Sequence, residues 1–278
     1  MYPANERMIA FWNGPGGEAW ACNADDQDLD LQTLGDAALG ALAATSGESV
    51  LDVGCGAGTT TLTLARIVGT GGRVVGVDIS APLLAVARRR AAGVTNVMFV
   101  EADAQQTLPH DAPFDAVFSR FGLMFFDEPV AAFAKLHQAT SPGGRLAFVC
   151  WQGAFANPWF LVPMIAAMGV PGLDLPPPPG PREPGPFAFA DPDHVSQILT
   201  AGGWRGAELQ SYTDEIADDL DRRVEFSLRQ GPVARALEGA ADEVREVVAA
   251  KVRDALAVHT ADGRVRLARA AWIVTAHA

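Results

Sequence analysis

Cysteine is scarce in this 278-residue sequence: Cys22, Cys55 and Cys150 are odd in number and stand in no CxxC or Cys/His spacing. That argues against a disulfide framework and against a zinc site. An excess of basic residues is also missing. The 33 acids against 21 Lys and Arg leave a net charge of −12, whereas proteins that grip a phosphate backbone carry a basic stripe, so nucleic acid is not an expected partner. The short cluster Arg88-Arg89-Arg90 falls in the last turn of a predicted helix, where cations suit the helix dipole. No apolar run reaches the roughly 18 residues of a membrane span. The opening MYPANERMIAFWNGPGG shows no basic region followed by an apolar stretch. The expectation is a cytoplasmic chain with reduced thiols and no membrane span, its oligomeric state unread.

What is present is the material of a globular core, 49% hydrophobic and 19% charged, with no internal repeat. From residue 49 short apolar strands alternate with amphipathic helices. The spacing predicts strands at Ser49 to Val53, Arg73 to Val77, Val97 to Val100, Phe114 to Phe118 and Arg145 to Val149. Helices are expected over Thr59 to Val68, Ala81 to Ala91 and Val130 to Ala139. Such alternation implies a parallel sheet with helices on both faces, which binds its ligands at the carboxyl ends of the strands. Beyond Val149 the rhythm changes. An apolar helix is predicted over Asn157 to Met168, and an extended polyproline-like loop over Pro176 to Pro186. A helix should begin at Asp191-Pro192 and stop at Gly202-Gly203. A strand Ala207 to Ile216, helices of about Arg222 to Leu237 and Ala241 to His259, and a last strand Arg264 to Thr275 complete the order. The expected division is an N-terminal lid segment (1–30), a nucleoside-binding core (31–152), a helical and proline-rich cap (153–190), and a C-terminal part of the core (191–278) carrying inserted helices at about 222–260.

The chemistry is concentrated after the first strand. Gly54, Gly56 and Gly58 flank Cys55 on the strand-to-helix turn, where glycine permits positive φ and close approach of a ligand to the backbone. A dinucleotide fingerprint places its third glycine where Thr59 stands. Asp52, two residues before the first glycine, would oppose a pyrophosphate at the helix N-terminus. S-adenosylmethionine (SAM) has no phosphate and carries a sulfonium and an ammonium, beside which a carboxylate is favourable. Asp78, ending the second strand, can accept both hydroxyls of a ribose, with Ile79 as an apolar face for adenine. Asp103, followed by Ala104, is placed to meet the adenine amino edge.

LDVGCGAGTTT, VVGVDIS, EADAQQTLP, FDAVFSRFGLMFF and SPGGRLAFVCW, in this order and spacing, resemble the successive motifs of class I SAM-dependent methyltransferases. They are most similar to the group that includes ubiquinone and menaquinone C-methyltransferases. The resemblance covers about residues 48 to 152. It implies an α/β fold of Rossmann-like type, a seven-stranded mostly parallel sheet with helices on both faces and a helical lid. It also implies SAM contacts from Gly54, Gly56, Asp78, the Asp103-Ala104 edge and Ser119-Arg120, with S-adenosylhomocysteine (SAH) as product. Phe11-Trp12-Asn13 and Gly17 to Trp20 look like an opening that folds over the cofactor; aromatic core packing is the competing reading for Trp12.

Residues 119–122 read Ser-Arg-Phe-Gly, without the Asn/Asp-Pro-Pro-aromatic turn of nucleic-acid amine methyltransferases, and Cys150 reads as a buried thiol. Direct displacement from a sulfonium requires chiefly alignment and exclusion of water. His110, His137, His194 and His259 read as loop, surface or helix-end histidines, so no general base is named; Arg120 is the weak candidate for orienting an anionic or oxygen-bearing acceptor. Phe155, Trp159, Phe160, Met164, Met168, Phe187 and Phe189 supply either an adaptable apolar pocket or the packing of the cap. The acids Asp214, Glu215, Asp218, Asp219 and Asp221 raise magnesium, but fit a solvated helix start better, so no metal is expected. The expected activity is methyl transfer to a small or medium, hydrophobic acceptor. The alternatives are a SAM- or nucleoside-binding sensor or assembly protein without transferase activity, and, disfavoured by Thr59 and Asp52, a nicotinamide oxidoreductase.

Overall fold

A computed structural model describes residues 5–109, 113–175 and 180–278. Four helices come first: α1 (Glu6–Trp12), α2 (Pro15–Cys22), α3 (Ala24–Asp30) and α4 (Gln32–Leu42). The alternating region follows as β1 (Ser49–Val53), α5 (Thr59–Val68), β2 (Arg73–Asp78), α6 (Ala81–Arg90), β3 (Val97–Glu101), β4 (Phe114–Arg120), α7 (Pro129–Gln138) and β5 (Thr140–Trp151). Then come α8 (Pro158–Ala167), α9 (Pro192–Ala201), β6 (Arg205–Asp218), α10 (Leu220–Arg229), α11 (Gly231–Ala236), α12 (Asp242–Ala257), β7 (Thr260–Ala261) and β8 (Arg264–His277). Among the described residues no helix is long and apolar enough to cross a membrane.

Two compact units divide this chain. The first comprises the described residues of Met1–Trp151, Pro181–Tyr212 and Ala271–Ala278. The sheet has the strand order β3-β2-β1-β4-β5-β8-β6. β1 pairs in parallel with both β2 and β4, β2 with β3, and β4 with β5, while β8 runs antiparallel to β5. The central strands read as continuous apolar runs because both faces of a parallel sheet are covered; Val50, Leu51 and Val53 are buried, as are Val74, Val75 and Val77. The helices cover them with residues at helical spacing, Leu64, Ala65 and Val68 of α5 and Leu83, Leu84 and Ala87 of α6 among them. Since the chain order reverses at β1, between β2 and β4, the crevice at the carboxyl ends of these strands is the natural ligand site.

The second unit comprises the described residues of Gln152–Gly180 and Thr213–Ala270. Val248, Val252 and Leu256 line one face of α12 and bury with Val224, Val233, Ile216, Val265, Leu267 and Ala167. Asn157 pins this unit locally: its side-chain amide donates to the Ala270 carbonyl (3.0 Å) and its side-chain oxygen accepts from the Ala270 N–H (3.0 Å).

Three expectations need correction. β5 begins at Thr140 rather than Arg145, and the irregular stretch through Pro142-Gly143-Gly144 is absorbed by a register shift between Phe114 and Ala116. The helix expected from Arg222 to Leu237 is broken, because Gln230 is extended and Pro232 in the first turn of α11 has no N–H to continue α10. Residues 176–179 of the proline-rich segment lie outside the described residues. Its remaining part forms turns and bends rather than an extended run, with Arg182 left-handed (φ 77°) and the Gly185 N–H donating to the Met124 carbonyl (3.1 Å).

Candidate functional site

The turn between β1 and α5 is held by backbone bonds, the N–H groups of Gly54 and Cys55 both donating to the Val77 carbonyl (2.8 and 3.1 Å). Gly54 is left-handed (φ 68°), and a Cβ there would meet the Gly122 backbone at 2.8 Å. Gly56 is also left-handed (φ 53°), but a Cβ on it would find nothing nearer than Leu83 at 4.0 Å. Its backbone therefore faces open space, as a ligand-contacting turn requires. Asp78 locks this turn to the end of β2 by accepting from Gly56 N–H (2.7 Å) and Ser80 N–H (2.8 Å). Burial pushes its carboxyl up and these N–H donors pull it down, leaving it above the usual range.

Asp52 lies beneath the turn and is fully buried. One carboxylate oxygen accepts from the hydroxyls of Thr60 (2.8 Å) and Thr61 (2.6 Å) in the first turn of α5, and the other, Oδ1, has no partner. Burial lifts this carboxyl to about 6 against the pull of the two threonines. An unpaired buried acidic oxygen calls for a cation or a strong donor. With Asp78 it also gives the turn two carboxylates, which suit a ligand bearing an ammonium and oppose one bearing phosphate.

The N-terminal helices are fastened to this region. The Asn13 side chain donates to the Ile79 carbonyl (2.8 Å) and accepts from the Ala81 N–H (2.9 Å), and the Ser80 hydroxyl donates to the Trp12 carbonyl (2.7 Å). A Cβ on Gly17 would strike that same carbonyl at 1.8 Å, which explains the glycine. Trp12 packs edge-on against Trp20 (5.6 Å between centroids) and Phe125 (5.4 Å), beside Ala24, Ala57 and Leu83. Trp12 thus packs in an aromatic cluster, and that cluster adjoins the glycine turn through Ala57.

At the end of β4, Ser119 is buried and its hydroxyl accepts from the Gly122 N–H (3.2 Å). Arg120 is tied to Asp28 of α3 (2.5 Å). Asp28 also accepts from the Thr59 hydroxyl (2.5 Å) and pairs with Arg90 (2.8 Å). Burial opposes ionisation of Asp28, but Arg120, Thr59 and Arg90 outweigh it and hold the carboxyl below its usual range. Arg120, read from sequence as a candidate for orienting an anionic or oxygen-bearing acceptor, is thus paired with Asp28. Arg90, read from sequence as a helix-end cation, reaches Asp25, Asp28 and the Ala57 carbonyl (3.1 Å) as well. The acids of α3 were the missed signal; DDQDLD has no motif to mark it. Phe121 was missed too. It is left-handed (φ 60°), an uncommon state for an aromatic residue, and stacks on Trp151 (4.3 Å, 21°).

Asp103 caps its own turn, accepting from Gln105 N–H (3.0 Å) and the Gln106 side chain (3.0 Å), and Ala104 is buried. Cys55 and Cys150 are buried, Cys22 exposed. Phe189 is core, packed on Phe133 and Phe148. In the second unit Trp159 packs on the local core, while Phe155 and Met168 are exposed. The acid run is also paired: Asp214 with Arg269 (2.6 Å), exposed Glu215 with Arg266 (2.7 Å), Asp218 with Arg223 (3.2 Å) and exposed Asp221, in the first turn of α10, with Arg253 (2.5 Å). Asp219 caps α10. No group of three or more His, Cys, Asp or Glu that could hold a metal occurs among the described residues. His137 is half-buried, edge-on to Trp204 (5.4 Å); His110 lies outside the described residues.

An α/β sheet whose reversal point carries a left-handed glycine turn, with a strand-end acid gripping it, defines a nucleoside-binding protein. Residues 50–144 match the family model described as a methyltransferase domain. The demethylmenaquinone methyltransferase of Staphylococcus saprophyticus is 26% identical over 188 residues, 62% of this chain and 76% of that protein. That of Clavibacter sepedonicus is 42% identical over 106 residues, 38% of this chain and 42% of the relative. The solved YcgJ protein of Bacillus subtilis shares the fold, with a TM-score of 0.56 at 18% identity, over 85% of this chain and 94% of that one. Residues 50–144 thus form a methyltransferase domain of the SAM-dependent kind.

Proposed function

We propose that the crevice at β1, β2 and β4 holds SAM and that its methyl group passes to a small or medium, apolar and uncharged organic acceptor. The observation that carries the cofactor half is the pairing of an open left-handed turn at Gly56 with the unpaired, fully buried Oδ1 of Asp52 below it. In this reading Asp52 takes the ammonium, the free lone pairs of Asp78 take the ribose hydroxyls, and Ile79 flanks the adenine. Asp103 and Ala104 form its edge, while Ser119 and Trp12 border the methionyl end. The acceptor half is supported by the aromatic packing at the end of β4, where buried Phe121 stacks on buried Trp151 and half-buried Phe125 meets half-buried Trp12, and by the engagement of Arg120 with Asp28. The relatives named for demethylmenaquinone point the same way.

SAM, when bound, supplies an electrophilic methyl on a leaving group already formed. The residues of the chain hold the acceptor in line, exclude water and shield the site with apolar rings. No general base is assigned. Calorimetry with SAM, SAH and NAD, followed by transfer of labelled methyl to a panel of phenols, quinols and amines, tests the proposal. Binding of SAM and SAH without NAD, with transfer to apolar members, is expected. Tight SAH binding with no transfer across the panel would favour the sensor or assembly reading, and NAD binding alone would overturn both.

A further inference from the structure

We propose that Gln27, on the N-terminal helix α3, contacts the cofactor by donating its side-chain amide to the carboxylate at the methionyl end of SAM. The inference rests on the cofactor reading above and adds to it a residue that carries no motif. Gln27 is 5% exposed, and its Nε2 has no hydrogen-bond partner. Buried amides as a rule find a partner, and a leucine would fill the same space with no donor to satisfy. Its place on α3 says where the partner comes from. Residues 24, 27 and 28 share one helix face. Ala24 packs with Ala57 and Leu83, beside Trp12, and Asp28 bonds to Thr59 and Arg120. Gln27 thus stands between a contact to the glycine turn and contacts to the start of α5 and the end of β4.

The chemistry is complementary. The methionyl end of SAM is a zwitterion, an ammonium and a carboxylate on one carbon. Among the described residues, the buried side-chain atoms without a partner include the acceptor Oδ1 of Asp52 and the donor Nε2 of Gln27. The first suits the ammonium and the second the carboxylate. An arginine in the place of Gln27 would compete with Arg120 and Arg90 for Asp28, whereas a neutral donor leaves that pairing intact.

The test uses two ligands that differ only in the carboxylate, SAM and decarboxylated SAM, titrated by calorimetry into the full chain and its Gln27→Leu and Gln27→Glu variants. Gln27→Leu is expected to weaken SAM roughly ten- to a hundredfold, the span of a hydrogen bond to a charged group, and to leave decarboxylated SAM within about twofold. Gln27→Glu keeps the shape, places like charge against the carboxylate, and should weaken SAM further while sparing the decarboxylated ligand. A variant that loses both ligands equally, or neither, overturns the role of Gln27 while the wild type still binds SAM. A wild-type chain that binds neither ligand overturns the cofactor reading itself.

Discussion

Asp52 is the residue whose environment does most to fix what the turn can hold. Buried beneath α5 with one oxygen bonded to two threonines and the other unpaired, it titrates at about 6 instead of the usual 3.8. Its folded pKa is raised, so its contribution to the stability of the ligand-free chain is full below the ordinary carboxylate range and is lost as pH climbs through about 6. A cationic ligand prefers the ionised form, so binding must expel the proton below that pH. The Kd for SAM is therefore expected to weaken as pH falls from 7 to 5, approaching tenfold per unit below 6, with proton release visible as a buffer-dependent heat. Asp78, also raised, adds to this slope, and Arg120 opposes it at Asp52. Asp52→Asn isolates the share of Asp52 by flattening the profile. A Kd constant from pH 5 to 7, or an unchanged slope in the variant, would sink the assignment.

At the scale of elements, the loop from β2 to α6 is braced by Asn13 at the end of α1, which satisfies both Ile79 and Ala81. Removing both bonds in Asn13→Ala should cost about 1–2 kcal/mol locally and loosen the backbone that presents Asp78 and Ile79. The expected outcome is a KM for SAM raised about three- to tenfold with kcat nearly unchanged; a fall in kcat at constant KM would place Asn13 in the chemical step instead. Elements with local punctuation were legible from sequence. α9 runs from the Asp191 cap and Pro192 to Gly202 as the residues dictate, and β1, α5 and β2 follow from apolar spacing around the glycines. α4 escaped notice because its buried face is built of Leu34, Gly35, Ala38, Leu39 and Leu42 with two glycines interrupting the pattern, so period and propensity disagree. Asp28 escaped for a different reason. Its partner Arg120 is 92 residues away, and no local rule pairs an acid in one helix with the end of a distant strand. The paired fate of the acids from Asp214 to Asp221 was hidden in the same way, since their arginines lie mostly in later elements.

For the molecule as a whole, charge sets the remaining constraint on the acceptor. The chain carries a net −12, and Arg120, at the end of β4, is neutralised by Asp28. An anionic acceptor would approach against the field of the protein and would find its counter-ion taken, unless it could displace Asp28 from a pair that Thr59 and Arg90 also hold. A neutral acceptor is subject to neither effect. Matched acceptors differing in one carboxylate should therefore differ in kcat/KM by about tenfold or more in favour of the neutral member at low salt, about 1.4 kcal/mol of transition-state preference. The gap should narrow as ionic strength rises from about 0.1 to 1 M, because the screening length falls from about 10 to 3 Å; the part that persists at high salt measures the occupied arginine. Asp28→Asn frees Arg120 and is expected to recover turnover of the anionic member selectively. If the anionic acceptor were preferred by the wild-type chain, the ion pair at the end of β4 would have to open during turnover, and the acceptor would be an acid held by Arg120.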